Sequence, residues 1–245
     1  MNIKNGEIIN LQQVDSTNSE AQRLLRKKKI STPLWIVANE QTSGKGRGEK
    51  KWISSKGNLF ASLILPISFN IKNLPILSCA VSLATFECIK YFKKDDHFLK
   101  IKWPNDILFN DSKLSGILIE NSLSTNLNYS IIGIGINVNS SPSKLDHSTS
   151  SLKSIIGEEI DLKTVLSQLS ISLDKYLGKL ESGKLEDLVT EYTLKAWKLN
   201  EEVEFLAGKD SYIGTISSIN NNFEIEININ NKIKRFNSGE LSFKY

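Results

Sequence analysis

The chain has 245 residues, of which 40% are hydrophobic and 24% are charged, and its formal net charge is +4. This composition is typical of a globular protein and excludes a wholly disordered, collagen-like or coiled-coil chain. The length fits one large domain or one domain with a small appendage, and the weak positive charge is too common among lysine-rich proteins to indicate a polyanionic partner.

Targeting and redox features point to the cytosol. The N-terminal segment has no apolar core flanked by basic and small residues, so it does not match a secretory signal, and the stretch FASLILPI is too short to span a bilayer. Cys79 and Cys88 lie in an apolar helical pattern, which favours two buried reduced thiols over a disulfide. His97 and His147 are isolated, so we expect no structural zinc site. A cytosolic protein with no membrane segment is therefore expected.

The first third of the chain predicts a helix and two strands around a glycine-rich loop. The helix begins in STNSEAQRLL, where Thr17 is a candidate N-cap and Glu20, three residues on, completes a capping box. Buried strands are predicted at residues 34–38 and 58–66. Between them lies TSGKGRGEKKW, residues 42–52, which contains three glycines and four cations. Because neighbouring cations repel unless an anion lies between them, this loop is predicted to bind an anionic ligand.

The middle of the chain alternates strands with helices. Residues 74–92 are apolar almost all round, as expected for a helix packed on the face of a sheet. Residues 98–109 predict a strand, a Pro-Asn-Asp turn and a second strand. The further predictions are strands at 113–120 and 129–139, a polar surface loop at 139–151, and amphipathic helices near 162–181 and 184–197.

After Trp197 the pattern changes to short alternating strands separated by turn residues, which is typical of a small all-β barrel. The last of these predicted strands is the closing stretch LSFKY. We place the boundary near Leu199, which predicts one domain at residues 1–198 and a second at 199–245.

Two familiar phosphate-binding patterns are excluded by spacing. In the glycine-rich loop Lys45 is followed by Gly46 where a Walker motif needs Ser or Thr, and GIGIN at residues 133–137 lacks the third glycine of the dinucleotide fingerprint. The cations of the loop can still hold a carboxylate and a phosphate together. Those anions repel each other strongly in a low-dielectric site, so a reaction that joins them needs several fixed cations.

A second group of candidate residues lies in KWPNDILF and on the strand that follows. Lys113 begins an apolar strand, where its ammonium group needs either solvent or an anion, and Gly116 would let a ligand approach the backbone closely. Taken singly, these features also fit a solvated loop, an ordinary turn, a core tryptophan at Trp52 and an edge lysine. Taken together they outline an adenylation site, with cations for a carboxylate and a triphosphate, an aromatic plane at Trp52, and amide side chains for purine edges.

Five ordered motifs carry a resemblance to a known family. VDSTN, EQTSGKGRGEKKW, KIKWPNDI, KLSGILIE and GIGINVN resemble the biotin protein ligases, and SGELSF resembles the end of that family's C-terminal barrel. The resemblance implies an α+β fold, with a mixed sheet and flanking helices akin to class II aminoacyl-tRNA synthetases, followed by an SH3-like barrel. It also implies that biotin and ATP form biotinyl-adenylate, and that a lysine of a biotin carboxyl carrier protein then takes the biotinyl group. Mg²⁺ is expected with the nucleotide.

The resemblance also implies roles for individual residues. The residues implied to contact biotin or its carboxylate are Ser16, Thr17, Asn18, Gln41, Gly44, Lys45, Gly46, Arg47, Lys113 and Gly116. The residues implied to serve the nucleotide are Lys50, Trp52, Asn105 and Asn137. Arg47 and Lys113 would stabilise charge at the phosphoryl centre, and Asp106 would orient or deprotonate the acceptor lysine.

The chain departs from the family pattern at Glu49, where a glycine is usual, although the basic residue that follows is present as Lys50. No segment before VDSTN is long enough for the helix-turn-helix domain of some members, so we expect a monofunctional enzyme without DNA binding. Two alternatives stay open: a lipoate or octanoate ligase of the same superfold, and a basic nucleic-acid-binding module. The sequence leaves the oligomeric state open, with a homodimer compatible with it.

Overall fold

The structure is a computed structural model of the chain, and it describes residues 3–123, 128–143 and 145–243. The strands and helices of its first part are β1 Glu7–Leu11, α1 Thr17–Lys27, β2 Leu34–Ala38, β3 Leu59–Pro66, α2 Leu74–Phe92, β4 Leu99–Lys102, β5 Asp106–Phe109, β6 Ser112–Ser122 and β7 Tyr129–Ile136. Those of its second part are α3 Leu152–Ile156, α4 Leu162–Glu181, α5 Leu185–Leu194, β8 Glu202–Ala207, β9 Asp210–Ile219, β10 Ile225–Ile229, β11 Lys232–Phe236 and β12 Glu240–Leu241.

The first seven strands form one mixed sheet in the order β1-β2-β3-β7-β6-β5-β4. β1 and β2 run parallel, and every other neighbouring pair is antiparallel. The parallel pair needs a crossover connection, which α1 supplies. The predicted mixed sheet with flanking helices is confirmed, although β1 and the short α3 were not predicted.

The two faces of this sheet have different partners because side chains alternate along each strand. On one face, Leu59, Ala61 and Leu63 of β3 join the main core, which also contains α2, α4 and α5. On the other face, Ile64 of β3 joins a smaller cluster beneath Ala21 of α1. Since α1 covers only part of that second face, the remainder of the face is free to form a site.

The amphipathic helix predicted near residues 162–181 is confirmed as α4, which packs an apolar stripe inward. Its members are Val165, Leu166, Leu169, Leu173, Tyr176, Leu177 and Leu180, and all are buried. Burial of each large apolar side chain contributes about 1.5–3 kcal/mol, so this stripe is a substantial part of what fixes α4 on α2. Residues 71–92, which include α2, are long and apolar enough to cross a membrane by composition, but 67% of the most apolar window is buried inside the fold.

The last five strands form an antiparallel sheet in the order β11-β10-β9-β8-β12. Its core continues into that of the first sheet, because the Trp103 ring contacts Phe205 and Phe223 and its Nε1 donates a 3.2 Å hydrogen bond to the Phe223 carbonyl. Of the predicted strand LSFKY, Leu241 is in β12, whereas residues 244–245 lie outside the described residues. Residue 144 of the predicted loop at 139–151 also lies outside them.

The predicted capping box at the start of α1 is wrong. Ser16 occupies the N-cap position, where its side chain caps no backbone amide among the described residues, and Glu20 pairs with Arg23 at 2.6 Å. Thr17 is the first helical residue, and its hydroxyl donates to Gln41 Oε1 at 3.1 Å. The hydroxyl that sequence assigned to the helix end therefore belongs to a polar cluster described below.

Both cysteines are buried free thiols, as predicted. His97 is exposed and packs edge-on against Phe98. Among the residues that the structure describes, no three His, Cys, Asp or Glu side chains form a group that could hold a metal ion.

Candidate active site

A row of five residues crosses the sheet and forms the floor of a cleft. Strand register pairs Phe60 with Gly135, Gly135 with Gly116, Gly116 with Asp106, and Asp106 with Lys102. Directly paired residues on neighbouring strands present their side chains to the same face of a sheet. The two glycines therefore leave a depression in the middle of this row, with acidic and basic groups at its far end.

The cleft above this row has a volume of about 1300 Å³. Its walls come from the glycine-rich loop, from the segment around His147 and from the end of the second sheet near Glu240. The predicted surface loop at 139–151 thus contributes to the cleft wall. A ligand in the cleft would contact both sheets.

One end of the cleft is built from amide and hydroxyl groups. The Ser62 hydroxyl, buried in β3, forms hydrogen bonds with Thr17 Oγ1 at 2.7 Å and with Asn18 Oδ1 at 2.6 Å. Asn18 Nδ2 donates to Glu120 Oε2 at 2.8 Å, and the amide of Gln41 joins the cluster through Thr17. Because each side chain holds its neighbour in one orientation, this cluster forms a rigid polar surface.

Sequence reasoning missed Ser62 and Glu120, which position the predicted binding residues. The sequence contained a signal for Ser62. After the initial asparagine of the stretch NLFASLILP, Ser62 is the single polar residue. Glu120 is the last residue of the motif KLSGILIE, and the sequence assigned no role to it. Its partner Asn18 is 102 positions away in the chain, so spacing alone did not connect them.

Trp52 covers the glycines of the floor. A Cβ placed on Gly135 would lie 2.5 Å from a Trp52 ring atom, and one on Gly116 would lie 2.8 Å from another. The close approach predicted at Gly116 is therefore made by an aromatic ring of the chain itself. Asn18 packs in the same way against Gly133, where an added Cβ would lie 2.2 Å from Asn18 Oδ1.

The glycine-rich loop connects β2 with β3, as predicted, and folds as a small hairpin. Gly46 N donates to the Lys50 carbonyl at 2.7 Å, and Trp52 N donates to the Gly44 carbonyl at 2.9 Å. Gly48 at the tip has a positive φ of 61°, a conformation that glycine adopts without strain. The unexpected Glu49 follows it and is exposed.

Arg47 points from this hairpin towards the PND turn. Its Nη1 donates to Asn105 Oδ1 and to the Gly239 carbonyl, each at 3.3 Å. Asn105 in turn donates from Nδ2 to the Ile117 carbonyl at 2.6 Å. The amide predicted to meet a purine edge is thus engaged in holding the guanidinium group of Arg47.

Lys113 reaches the same region from β6. Its Nζ forms an ion pair with Asp106 Oδ2 at 2.7 Å and lies 5.6 Å from the centroid of the Trp52 ring. Burial raises the pKa of Asp106, but the charges of Lys113 and Lys102 outweigh it and hold that pKa below its ordinary value. Asp106 is therefore ionised at neutral pH.

A β-bulge explains how Lys113 enters the cleft. Strict alternation would place Lys113 and Gly116 on opposite faces of β6, since they are three residues apart. The register shifts between Ile107 and Leu108 of β5, and Lys113 Cε lies 3.4 Å from where a Gly116 Cβ would be. The extra residue thus turns Lys113 to the face of the glycine floor.

Two further lysines meet a carboxylate that the sequence did not assign. Lys50 Nζ pairs closely with Glu240 Oε2, and Lys102 Nζ lies 3.9 Å from Glu240 Oε1. Burial raises the pKa of Glu240, but the hydrogen bond from Lys50 and the charge of Lys102 hold it below its ordinary value. For Lys102, burial dominates and lowers the pKa to about 8.

Aromatic residues close this side of the cleft. The Phe243 ring stacks on His147 with a centroid distance of 4.9 Å, and Lys102 Nζ lies 4.0 Å from the Phe243 centroid. Burial, together with the nearby charge of Lys113, lowers the pKa of His147, so its imidazole is neutral at pH 7. Neither aromatic contact was predicted.

Asn137 is buried beside the start of β6. Its Nδ2 donates to the Ser150 carbonyl at 3.1 Å and to the Lys113 carbonyl at 3.4 Å. Its Oδ1 has no hydrogen-bond partner within the described ranges. A buried oxygen of this kind is costly unless a ligand donates to it.

The predicted site residues therefore converge. Those that line the cleft are Ser16, Thr17, Asn18, Gln41, Lys45, Gly46, Arg47, Lys50, Trp52, Asn105, Asp106, Lys113, Gly116 and Asn137. Gly44 lies under Trp52 instead, where an added Cβ would be 2.5 Å from the Trp52 carbonyl oxygen. Arg47 and Lys113 share one cavity, as their expected common role at a phosphoryl centre requires.

Comparison with known proteins places these features in a family. The family model described as the biotin/lipoate A/B protein ligase family matches residues 11–137, which is 127 of 245 residues. The chain is 28% identical over 199 residues to a biotin–[acetyl-CoA-carboxylase] ligase of Paracoccus denitrificans, covering 79% of this chain and 82% of that protein. It is 34% identical over 168 residues to the bifunctional ligase/repressor BirA of Bacillus subtilis, covering 66% of this chain but 51% of that protein.

A solved structure agrees with the whole described fold. The biotin protein ligase from Aquifex aeolicus in complex with biotin and ATP superimposes with a TM-score of 0.80 at 29% identity. The match covers 96% of this chain and 97% of that chain, so it includes both sheets.

Proposed function

The chain belongs to the biotin/lipoate A/B protein ligase family, and we propose that it is a biotin protein ligase. It activates biotin with ATP to biotinyl-5'-AMP, releases pyrophosphate, and transfers the biotinyl group to a lysine of a biotin carboxyl carrier protein. The relative from Paracoccus denitrificans, of which the chain covers 82%, is a biotin–[acetyl-CoA-carboxylase] ligase. The similar solved structure from Aquifex aeolicus holds biotin and ATP.

One observation carries this proposal: a single cleft joins a polar cluster at Thr17, Asn18 and Gln41 to a cationic end at Arg47 and Lys113. The ureido ring of biotin carries both hydrogen-bond donors and acceptors, whereas the dithiolane ring of lipoate and the chain of octanoate carry none. A buried polar surface discriminates against a ligand that leaves it unpaired. The polar end therefore favours biotin over the alternative acyl substrates.

In the first step an oxygen of the biotin carboxylate attacks the α-phosphorus of ATP. The bond between that phosphorus and the bridging oxygen of pyrophosphate breaks, and pyrophosphate leaves. Arg47 offers a planar pair of donors to the carboxylate and the phosphate, while Lys113 supplies a point charge. Both groups are held in advance, Arg47 by Asn105 and Lys113 by Asp106, so little reorganisation is needed as charge develops.

Asn137 Oδ1 has no hydrogen-bond partner in the part of the chain that the structure describes, which supports the assignment of that residue to the nucleotide. The exocyclic amine of adenine is a donor and would satisfy this oxygen. Guanine presents a carbonyl oxygen at the equivalent position, which would leave two acceptors facing each other. We therefore assign Asn137 to the discrimination of ATP from GTP.

In the second step the neutral amine of the acceptor lysine attacks the carbonyl carbon of the biotinyl group, the bond to the phosphate oxygen breaks to release AMP, and the nitrogen loses one proton to solvent. A carboxylate with a lowered pKa is a poor proton acceptor. We therefore assign Asp106 to orienting the incoming amine and stabilising the positive charge that develops on its nitrogen during attack, in preference to the role of a general base.

The described residues offer few free ligands to a metal ion. Asp106 and Glu240 in the cleft are already engaged by lysines, and the described residues contain no group of three candidate ligands. Magnesium, when it accompanies ATP, would be held by the phosphates, whose charge it would partly neutralise. The roles assigned to Arg47 and Lys113 do not depend on it.

The finer features of the fold complete the proposal. We assign residues 1–198 to the catalytic domain and 199–245 to an SH3-like domain, a division supported by the second sheet beginning at β8. A cytosolic location is supported by the two buried free thiols, whose pKa burial raises.

The test is exchange of radiolabelled pyrophosphate into ATP. Exchange that requires biotin and is not supported by lipoate or octanoate is the expected result, followed by a mass increase of a carrier protein on one lysine. Exchange supported by lipoate instead of biotin would contradict the proposal. Binding of DNA or RNA with steep salt dependence, and no exchange, would favour the nucleic-acid-binding alternative.

A further inference from the structure

Lys102 is a buried cation that the two steps above do not use. Its side chain is 2% exposed, yet it borders the cleft at the end of the floor row, beside Asp106. A buried ammonium group is costly unless it is paired and hydrogen-bonded. The 3.9 Å separation from Glu240 is an ion pair without the geometry of a hydrogen bond.

Glu240 lies where two cations converge. Lys50 reaches its carboxylate from the glycine-rich hairpin and Lys102 reaches it from β4, so the carboxylate marks a position at which an anion is stabilised from two sides. Glu240 is 39% exposed and lies on the second sheet. Its side chain can therefore leave this position for solvent without unfolding of either sheet.

We propose that Lys102 is a phosphate-binding residue for the terminal phosphates of ATP, and that Glu240 occupies their position until the nucleotide enters. This inference rests on the proposed function, because it needs a triphosphate in the cleft. Arg47 and Lys113 serve the reacting phosphorus, whereas Lys50 and Lys102 form a separate pair that holds the pyrophosphate portion. Displacement of Glu240 exchanges one anion for another, so the buried ammonium group stays compensated throughout.

Two substitutions give opposite expected effects. Lys102→Met keeps an unbranched side chain but removes the charge, and we expect the KM for ATP to rise about tenfold or more. Glu240→Gln removes the competing negative charge, and we expect the KM for ATP to fall. Lys100→Met is the matched control, since it removes a lysine from the same strand outside the cleft.

For the wild type and each variant, the KM for ATP is measured in biotin-dependent pyrophosphate exchange at saturating biotin. The inhibition constant of AMP is measured on the same proteins. AMP lacks the terminal phosphates, so its inhibition constant should not change in Lys102→Met. A wild-type KM in that variant would overturn the proposal, as would equal losses for ATP and AMP. If Glu240→Gln raises the KM, Glu240 supports the bound nucleotide, and its role as a displaceable group is refuted.

The Glu240→Gln variant tests the proposal even if Lys102→Met fails to fold. Because Glu240 is partly exposed, its substitution should leave the fold intact. Failure of the proposed function is recognised separately. If the wild-type protein shows no biotin-dependent exchange, the proposed function and this inference both fail. If the wild-type protein shows biotin-dependent exchange and the KM for ATP of Lys102→Met equals that of the wild type, this inference alone fails.

Discussion

Replacement of Lys113 by methionine separates catalysis from folding at the centre of the cleft. Removal of one preorganised charged group at a reacting centre costs about 2.7–4 kcal/mol, so adenylate formation should slow about 10²–10³-fold. Lys113 also balances Asp106, whose side chain is only 11% exposed. Breaking a buried ion pair costs about 3–5 kcal/mol, and the remaining charge of Lys102 places this case near the lower end.

A native domain has about 5–15 kcal/mol of stability, so Lys113→Met should remain folded at 25 °C but unfold at lower urea concentration. The double variant Lys113→Met/Asp106→Asn leaves no unpaired carboxylate and should recover most of the lost stability. It should not recover activity, because the charge at the phosphoryl centre is still absent. Lys72→Met, at an exposed position, is the control for charge alone.

The assay is biotin-dependent pyrophosphate exchange, with urea unfolding measured on the same samples. A rate for Lys113→Met within about threefold of the wild type would refute the role of Lys113, since that is under 1 kcal/mol. Recovery of both stability and activity in the double variant would show that Lys113 acts only through folding.

Four other outcomes are expected. Arg47→Ala should keep the fold, as judged by circular dichroism, and slow pyrophosphate exchange at least about tenfold; an unchanged rate would remove Arg47 from the reacting centre. Asp106→Asn should slow transfer from preformed adenylate more than adenylate formation, and an effect confined to the KM for ATP would place Asp106 in the nucleotide site instead. Residues 42–52 should exchange amide hydrogens rapidly in the free protein and slowly with biotin and ATP, because glycines and repelling cations disfavour one conformation; strong protection without ligand would contradict this. The pKa of Lys102 is about 8 in the folded protein against 10.5 in the unfolded chain, so the unfolded state binds more protons between these values and the free energy of unfolding should rise with pH across that window by about 3 kcal/mol. The rise should be absent in Lys102→Met. If the free energy of unfolding, measured with urea, depends on pH equally in the two proteins, the pKa of Lys102 is not perturbed.

Long periodic segments were predicted well from the sequence because their pattern is set by one dominant force. The apolar spacing of α4 and the all-round apolar character of α2 follow from burial against the sheet, and both helices begin and end where the sequence placed them. β1 was missed because its side chains are mostly exposed at the edge of the sheet. Its place depends on backbone pairing with β2, which leaves little trace in side-chain pattern.

Local rules failed where tertiary contacts compete with them. Thr17 satisfied the spacing of a capping box, but Ser62 on β3 and Gln41 in the loop between β2 and β3 offer its hydroxyl better partners. The bulge that turns Lys113 into the cleft is equally invisible to a two-residue period. In both cases the residue was identified correctly and its geometry was not, because the partner that decides the geometry is distant in the chain.

The arrangement of charge explains why a chain with a net charge of only +4 can build so cationic a cleft. Arg47, Lys50, Lys102 and Lys113 would repel one another strongly in a partly buried space. Asp106 pairs with Lys113, and Glu240 pairs with Lys50 and Lys102; the lowered pKa of each carboxyl shows that it remains ionised for this task. Sequence motifs revealed the cations because they cluster within short segments. Glu240 lies 190 positions from Lys50, so only the folded chain shows that this carboxylate meets Lys50 and Lys102 in the cleft.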